Sequence, residues 1–162
     1  MEFFEGIIQM IKVLFVCHGN ICRSPMAQFV FEDMVSKRGL EDVFEIDSAA
    51  TSREEIGNGV HSGTLRKLRQ VGVPVHTHHS RQITVEDYRR FDYIIAMERY
   101  NLSNLRRVIG EDADNKVHLL LSFAGIDRDI ADPWYTGNFD VTYDNIKTGC
   151  AALLDFLLKK GL

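Results

Sequence analysis

One short segment near the start of the chain combines side chains that could bind and attack a phosphate group. Cys17 is followed after five intervening residues by Arg23, within the run Cys-His-Gly-Asn-Ile-Cys-Arg-Ser. The guanidinium of Arg23 could hold two phosphoryl oxygens in a planar bidentate pair. A thiolate at Cys17 would then be suited to attack phosphorus and form a cysteinyl phosphate. The spacing therefore predicts a phosphate-binding loop over residues 17–24.

The other residues of this loop have predicted roles in shaping the site. Gly19 lets the backbone approach an anion closely or take a positive φ, and Asn20 tolerates a left-handed conformation. Ser24 could donate a hydrogen bond to the Cys17 sulfur, while a helix N-terminus and Arg23 favour thiolate over thiol. We expect phosphate to be bound by the whole loop, namely His18, Gly19, Asn20, Ile21, Cys22, Arg23 and Ser24.

Other interpretations of the cysteines stay open from the residues alone. Cys17 by itself could be a small buried residue that ends a strand. Zinc binding by Cys17 and Cys22 is a weak alternative, because four intervening residues do not match common zinc pairs. We therefore expect no metal and no cofactor. Cys22 could also trap an oxidised Cys17 as a disulfide, although simple packing beneath the loop fits the same position.

The elements that must position this loop alternate between strands and helices. A β-branched apolar run precedes Cys17, and a helical pattern opened by Pro25 follows it. The pattern predicts further strands over Val43–Ala49, Tyr93–Met97 and Val117–Leu121, and helices over Asn101–Ile109 and Val141–Lys160. We expect a single-domain α/β fold with a doubly wound, mostly parallel four-stranded sheet and helices on both faces. Ligands in such sheets bind beyond the carboxyl ends of the strands.

Length and charge limit the classes of protein that this chain can belong to. With 162 residues and 45% hydrophobic side chains, it can form one domain with a proper core. Its net charge of -4 argues against nucleic acid as a partner. Its three cysteines favour a reducing compartment, so we expect a cytoplasmic location. No apolar run approaches the roughly 18 residues of a spanning helix, so we expect no membrane partner.

Several motifs together resemble the low-molecular-weight protein tyrosine phosphatase family. They are VCHGNICRSPMA around the loop, DSAATS at 47–52, SRQITVEDYRRFDYIIAM at 80–97 and DPWYTG at 132–137. The loop matches the family signature apart from His18, a position that the family varies. The resemblance covers residues 11–158 and implies a phosphatase domain over residues 11–162, with residues 1–10 as an N-terminal extension or an expression remnant.

The resemblance implies roles for residues outside the loop. Asp132 would be the general acid that protonates the departing phenolate and then activates water, although an Asp-Pro turn explains that dipeptide equally well by itself. Trp134 and Tyr135 would line the substrate pocket. The family usually has an aromatic residue where this chain has Glu54, so one wall is expected to be polar, which argues against tight binding of acidic phosphotyrosine peptides. Ile21 resembles the tyrosine-directed members rather than the related arginine phosphatases.

Supporting roles follow from the same resemblance. Ser48 and His78 match positions that hold Asn20 and the loop through hydrogen bonds. The neighbouring His76 and His79 could suggest a metal cluster, but nothing nearby completes a ligand set, and a polar network is favoured. Apart from the resemblance, Arg81 and Glu98 could form an ion pair across neighbouring loops, with no catalytic role.

The predicted activity is hydrolysis of phosphotyrosine proteins or small aryl phosphates, with inorganic phosphate as product. Two alternatives remain. Arsenate reduction on the same fold would need shuttle cysteines, and beyond the loop the chain has only Cys150, on an apolar helix stripe. The second alternative is a noncatalytic phosphate-binding module. Such a module would need neither a nucleophile nor a proton donor, so the presence of Cys17 and Asp132 argues against it.

Overall fold

The computed structural model describes residues 9–160. Most of the predicted N-terminal extension, residues 1–8, and the last two positions, 161–162, lie outside the described residues. Within residues 9–160, no helix combines the length and the apolar character needed to cross a membrane.

The sheet has four parallel strands in the order β2-β1-β3-β4, and the predicted doubly wound α/β fold is confirmed. The strands are β1 (Ile11–Cys17), β2 (Phe44–Ala50), β3 (Tyr93–Ala96) and β4 (Val117–Leu119). The helices are α1 (Arg23–Lys37), α2 (Ser62–Gln70), α3 (Val85–Arg90), α4 (Arg99–Ile109), α5 (Pro133–Thr136) and α6 (Phe139–Lys159).

Strand β1 is central and its side chains alternate between two hydrophobic cores. Val13 and Phe15 point into the core that contains the apolar stripe of α6, whereas Leu14 and Val16 point into the core on the other face. All four are fully buried. This explains why β1 is almost continuously apolar, since a strand covered on both faces needs apolar residues at every position.

Some element boundaries differ from the sequence prediction. Helix α1 begins at Arg23 rather than Pro25, so Arg23 and Ser24 lie in its first turn. The predicted strand over Val117–Leu121 ends at Leu119, and a 3-10 helix follows over Leu120–Ala124. The segment after Asp132, for which an Asp-Pro turn was one interpretation, forms the short helix α5. These differences arise at element ends, where the last turn or bridge depends on tertiary contacts.

Candidate active site

The Cys17 sulfur lies at the carboxyl end of β1 and is surrounded by hydrogen-bond donors. The backbone N–H groups of Asn20 and Ser24 donate to Sγ at 3.3 and 3.4 Å. The Ser24 hydroxyl lies 3.1 Å from the same atom. Asn20 lies in the loop between β1 and α1, and Ser24 lies in the first turn of α1, which is a 15-residue helix. The arrangement stabilises negative charge on sulfur, as in other thiolate sites at helix N-termini.

Asn20 holds the loop in shape. Its backbone has φ 59°, in the left-handed region that asparagine tolerates, and its side chain is fully buried. The amide Nδ2 donates to Ser24 Oγ at 2.8 Å and to Ser48 Oγ at 3.0 Å. Because Ser24 Oγ accepts this bond, its own proton is free to point at the sulfur of Cys17.

Ser48 and His78 lie against the Asn20 amide. The backbone N–H of Arg81 donates to Asn20 Oδ1 at 3.3 Å, which identifies that atom as the oxygen. His78 Nε2 lies 2.9 Å from the same oxygen and therefore carries the proton. Burial lowers the pKa of His78 below its ordinary value, which favours the neutral ring.

Two supporting residues were missed by the sequence analysis. Ser48 donates to the Gln28 side-chain oxygen at 2.6 Å, and Gln28 is buried in the middle of α1. Ser80 Oγ donates to the Gly19 carbonyl at 2.8 Å. The available signal for Gln28 was a polar residue one turn after Ser24 on a helix otherwise apolar at neighbouring positions.

Arg23 is 1% exposed and joins the loop to two distant segments. Its Nη1 donates to the Ile130 carbonyl at 2.9 Å. Its Nη2 lies 2.7 Å from Glu98 and 3.3 Å from Asp132. Burial opposes the charge of Arg23, but the negative charges of Cys17, Asp132 and Glu98 outweigh it and raise the pKa of Arg23. Its Nε is buried and has no hydrogen-bond partner within residues 9–160.

The predicted ion pair between Arg81 and Glu98 is wrong. Arg81 pairs instead with Asp87 at 2.8 Å and Asp47 at 3.1 Å. Glu98 follows β3 and is the N-cap residue of α4, and its carboxylate lies beside Arg23. Glu98 is therefore a site residue that the sequence analysis assigned to the wrong arginine.

Asp132 is the N-cap residue of α5 and reaches the loop from the other side. Its Oδ1 accepts the backbone N–H of Trp134 at 3.0 Å, and its Oδ2 is the atom beside Arg23. The side chain is 22% exposed, so it remains accessible from the pocket. We call residues 130–136 the acid loop. Pro133 occupies the first helical position, where its missing N–H has no cost.

A cavity of about 100 Å³ lies between the phosphate-binding loop and the acid loop. Glu54 stands at its mouth, 3.2 Å from His18, and the aromatic residues Trp134 and Tyr135 are exposed beside it. Asn20, Ser24, Ser48 and His78 support the loop and do not line the cavity. The lining residues are Cys17, His18, Gly19, Ile21, Cys22, Arg23, Glu54, Glu55, Asp132, Trp134 and Tyr135.

All three cysteines are free thiols. Cys22 is buried, and burial together with the negative charges of Cys17 and Asp132 raises the pKa of Cys22 to about 12. Its carbonyl accepts a hydrogen bond from Thr64 Oγ1 at 3.2 Å. Cys150 lies in the core that contains α6. The disulfide between Cys17 and Cys22 stays a prediction.

The neighbouring histidines have separate partners. His76 lies 2.8 Å from Glu32, and His79 Nδ1 lies 3.0 Å from the Gly57 carbonyl. Across the part of the chain that the structure describes, no three His, Cys, Asp or Glu side chains are grouped to hold a metal ion.

Comparison with known proteins shows close relatives over nearly the whole chain. The model of the family "low molecular weight phosphotyrosine protein phosphatase" matches residues 12–161. The low molecular weight protein-tyrosine-phosphatase YfkJ of Bacillus subtilis is 44% identical over 154 residues, covering 93% of this chain and 98% of that protein. The crystal structure of YfkJ from Bacillus subtilis superposes with a TM-score of 0.92 at 43% identity, covering 97% of this chain and 100% of that one. The crystal structure of a Drosophila arginine phosphatase superposes with a TM-score of 0.81 at 33% identity, covering 91% of this chain and 98% of that one.

Proposed function

The chain belongs to the low molecular weight phosphotyrosine protein phosphatase family, and we propose that it hydrolyses phosphotyrosine and aryl phosphates through Cys17, Arg23 and Asp132. One observation carries the assignment of roles. A sulfur that receives three hydrogen bonds shares a small cavity with a buried arginine and with a carboxyl group 109 residues away from that arginine. Binding phosphate alone requires neither the sulfur nor the carboxyl group.

In the first step, the Cys17 thiolate attacks phosphorus and forms a sulfur–phosphorus bond. The bond from phosphorus to the phenolic oxygen breaks, and Asp132 donates its proton to that oxygen. Asp132 suits this role because it lines the same cavity as Cys17 and is partly exposed. The phenol then leaves, and a cysteinyl phosphate and an Asp132 carboxylate remain.

In the second step, the Asp132 carboxylate takes a proton from water, and the resulting hydroxide attacks phosphorus. The sulfur–phosphorus bond breaks, inorganic phosphate leaves, and the Cys17 thiolate is restored. The hydrogen bonds from Ser24 and from two backbone N–H groups stabilise this thiolate, so the sulfur is a good leaving group.

Arg23 supports both steps by balancing the charge of the transferred phosphoryl group. Its buried Nε is a donor with no partner within the described chain, and it belongs to a side chain that lines the cavity. The fixed partners Glu98 and Ile130 orient the guanidinium before substrate binds, which reduces the cost of reorganisation. Arg23 is therefore the phosphate clamp of this proposal.

The pocket walls favour an aromatic substrate. Trp134 and Tyr135 offer exposed rings for stacking on a phenyl group. Glu54 and His18 form the polar side, and the negative charge of Glu54 should disfavour peptides with acidic residues beside the phosphotyrosine.

The free thiolate needed for catalysis and the three unpaired cysteines suit a reducing compartment, and we place the reaction in the cytoplasm.

The test is hydrolysis of para-nitrophenyl phosphate, phenyl phosphate and a panel of phosphotyrosine, phosphoserine and phosphoarginine peptides. We expect metal-independent turnover of the aryl esters and of phosphotyrosine, and none after Cys17→Ser. Undiminished activity in Cys17→Ser would refute the nucleophile assignment. An arsenate reductase or a noncatalytic module would fail to hydrolyse para-nitrophenyl phosphate.

Asp132→Asn tests the general acid. The variant should lower kcat/KM for phenyl phosphate by about 100-fold or more, the usual contribution of general acid catalysis. The loss should be smaller for dinitrophenyl phosphate, whose leaving group needs little protonation. If both esters slowed equally, Asp132 would shape the loop and another group would donate the proton. We compare kcat/KM because it includes departure of the phenol and excludes later breakdown of the cysteinyl phosphate.

A further inference from the structure

The first turn of α2 donates hydrogen bonds to backbone carbonyls of the phosphate-binding loop. The backbone N–H of His61 donates to the Ile21 carbonyl at 2.8 Å. In the same turn, Thr64 Oγ1 donates to the Cys22 carbonyl at 3.2 Å. Two successive carbonyls of the loop are therefore held by α2, although none of the catalytic roles assigned above involves this helix.

The side chain of the same histidine contacts the acid loop and the start of α6. Its ring meets Trp134 edge-to-face, with centroids 5.7 Å apart and an angle of 80°. It stacks on Phe139, with centroids 5.3 Å apart and an angle of 26°. Phe139 in turn lies so close over Gly63 that a Cβ at that position would be 2.4 Å from the ring. A glycine at position 63 thus allows Phe139 to sit beneath the His61 ring.

Trp134 links this stack to the proposed general acid. Its backbone N–H donates to Asp132 Oδ1 at 3.0 Å, so a shift of Trp134 would move a hydrogen-bond donor of the carboxyl group. Trp134 is 56% exposed, and the His61 ring contacts its indole edge-to-face. The contacts run without a gap from the Ile21 carbonyl through His61 and Trp134 to Asp132.

We propose that His61 is a positioning residue that keeps the acid loop in register with the phosphate-binding loop by holding Trp134. The proposal rests on the function proposed above, because it concerns how accurately Asp132 faces the departing phenol. Edge-to-face contact is a preferred geometry for aromatic rings, so the imidazole restrains the indole in angle as well as in distance. A displacement of about 1 Å at a catalytic group can reduce the rate about 100-fold.

His61 also stabilises α2, and this second role must be separated from the first. His61 is the N-cap residue of α2, and its Nδ1 accepts the Gly63 N–H at 2.9 Å. The variant His61→Asn keeps a good N-cap acceptor but removes the ring. The variant His61→Phe keeps a ring against Trp134 and Phe139 but removes the acceptor. The two variants therefore separate the stack from the cap.

The experiment measures kcat/KM for phenyl phosphate and dinitrophenyl phosphate in each variant. For His61→Asn we expect a loss of about 10- to 100-fold on phenyl phosphate and of less than about threefold on dinitrophenyl phosphate, because only the former needs the acid. His61→Phe should restore most of the phenyl phosphate activity, while its Tm falls by about 2–4 °C through loss of the cap. His118→Asn is the matched control, since its ring packs on Tyr93 and Phe123 in a separate aromatic cluster.

Each outcome decides between the proposals. If His61→Asn slowed both esters equally or neither ester, or if His61→Phe lost as much selectivity as His61→Asn, the positioning role would be overturned. If wild-type protein hydrolyses both esters and the variants leave the ratio of the two kcat/KM values unchanged, only the role of His61 is refuted. Wild-type protein that hydrolyses neither ester refutes the proposed function, and the positioning role with it.

Discussion

Replacement of Arg23 by lysine should cost both stability and activity, although the charge is kept. Arg23 makes three contacts through two nitrogens: Ile130 O at 2.9 Å, Glu98 at 2.7 Å and Asp132 at 3.3 Å. The single ammonium of lysine cannot reach positions that Nη1 and Nη2 occupy separately, so we expect it to keep one of the three contacts.

The expected loss of stability follows from these contacts. A hydrogen bond to a charged group contributes about 1.5–3 kcal/mol, so two such losses amount to about 3–6 kcal/mol. The side chains of Glu98 and Asp132 are 24% and 22% exposed, and solvent will compensate part of the loss. Taking the lower end, we expect Arg23→Lys to reduce the free energy of unfolding by about 3 kcal/mol.

Urea unfolding followed by circular dichroism measures this change. Arg106→Lys is the matched control, because Arg106 is 67% exposed and pairs with Glu111 in a surface contact. We expect that control to change the free energy of unfolding by less than about 0.5 kcal/mol. A change equally small in Arg23→Lys would refute the reasoning, since it would mean that the buried contacts of Arg23 contribute no net stability.

Activity provides a second measurement on the same variant. Loss of the planar guanidinium removes a donor that faces the phosphoryl group, and removal of one such donor typically costs about 100- to 1,000-fold in kcat. The loss should be similar for good and poor leaving groups, because Arg23 acts on the phosphoryl group rather than on the phenol. This pattern distinguishes Arg23→Lys from Asp132→Asn.

Two further predictions concern Cys22 and His78. After limited oxidation by peroxide, dithiothreitol should restore activity to wild-type protein and should restore markedly less activity to Cys22→Ser. The reason is that capture of the Cys17 sulfenic acid as a disulfide releases water and prevents irreversible oxidation. Equal recovery, or a mass spectrum without the Cys17–Cys22 bond, would leave Cys22 with a packing role only. The lowered pKa of His78 means that its contribution to stability is present above the ordinary histidine pKa and is lost as pH falls below it, towards the folded-state pKa. His78→Gln keeps an N–H for Asn20 Oδ1 but does not titrate. The free energy of unfolding measured with urea should therefore fall less steeply between about pH 7 and 5 in this variant than in wild type. Parallel curves of unfolding free energy against pH would contradict this explanation.

The phosphate-binding loop is the part of the proposed site with the strongest signal in the sequence. Its eight residues, 17–24, are contiguous, so their types and spacing can be recognised without knowledge of the fold, and the helix that follows favours a bound anion. The alternation of strands and helices likewise predicted the parallel sheet, because a continuous apolar run such as β1 is stable only when covered on both faces. The positions of Ser48 and His78 against Asn20 agree with what the family resemblance implied.

Contacts between distant segments were decided only by the tertiary structure. Glu98 could pair with Arg23 or Arg81 on charge alone, and the choice depends on which arginine is buried at the edge where β1 and β3 end. Neither the hydrogen bond between Gln28 and Ser48 nor the contact of His61 with Trp134 could be assigned from the sequence, because each joins residues that are close only after the sheet has formed. The sequence thus determined which groups could do the chemistry. The tertiary structure determined which of those groups face one another, because the carboxyl ends of the parallel strands meet at one edge of the sheet.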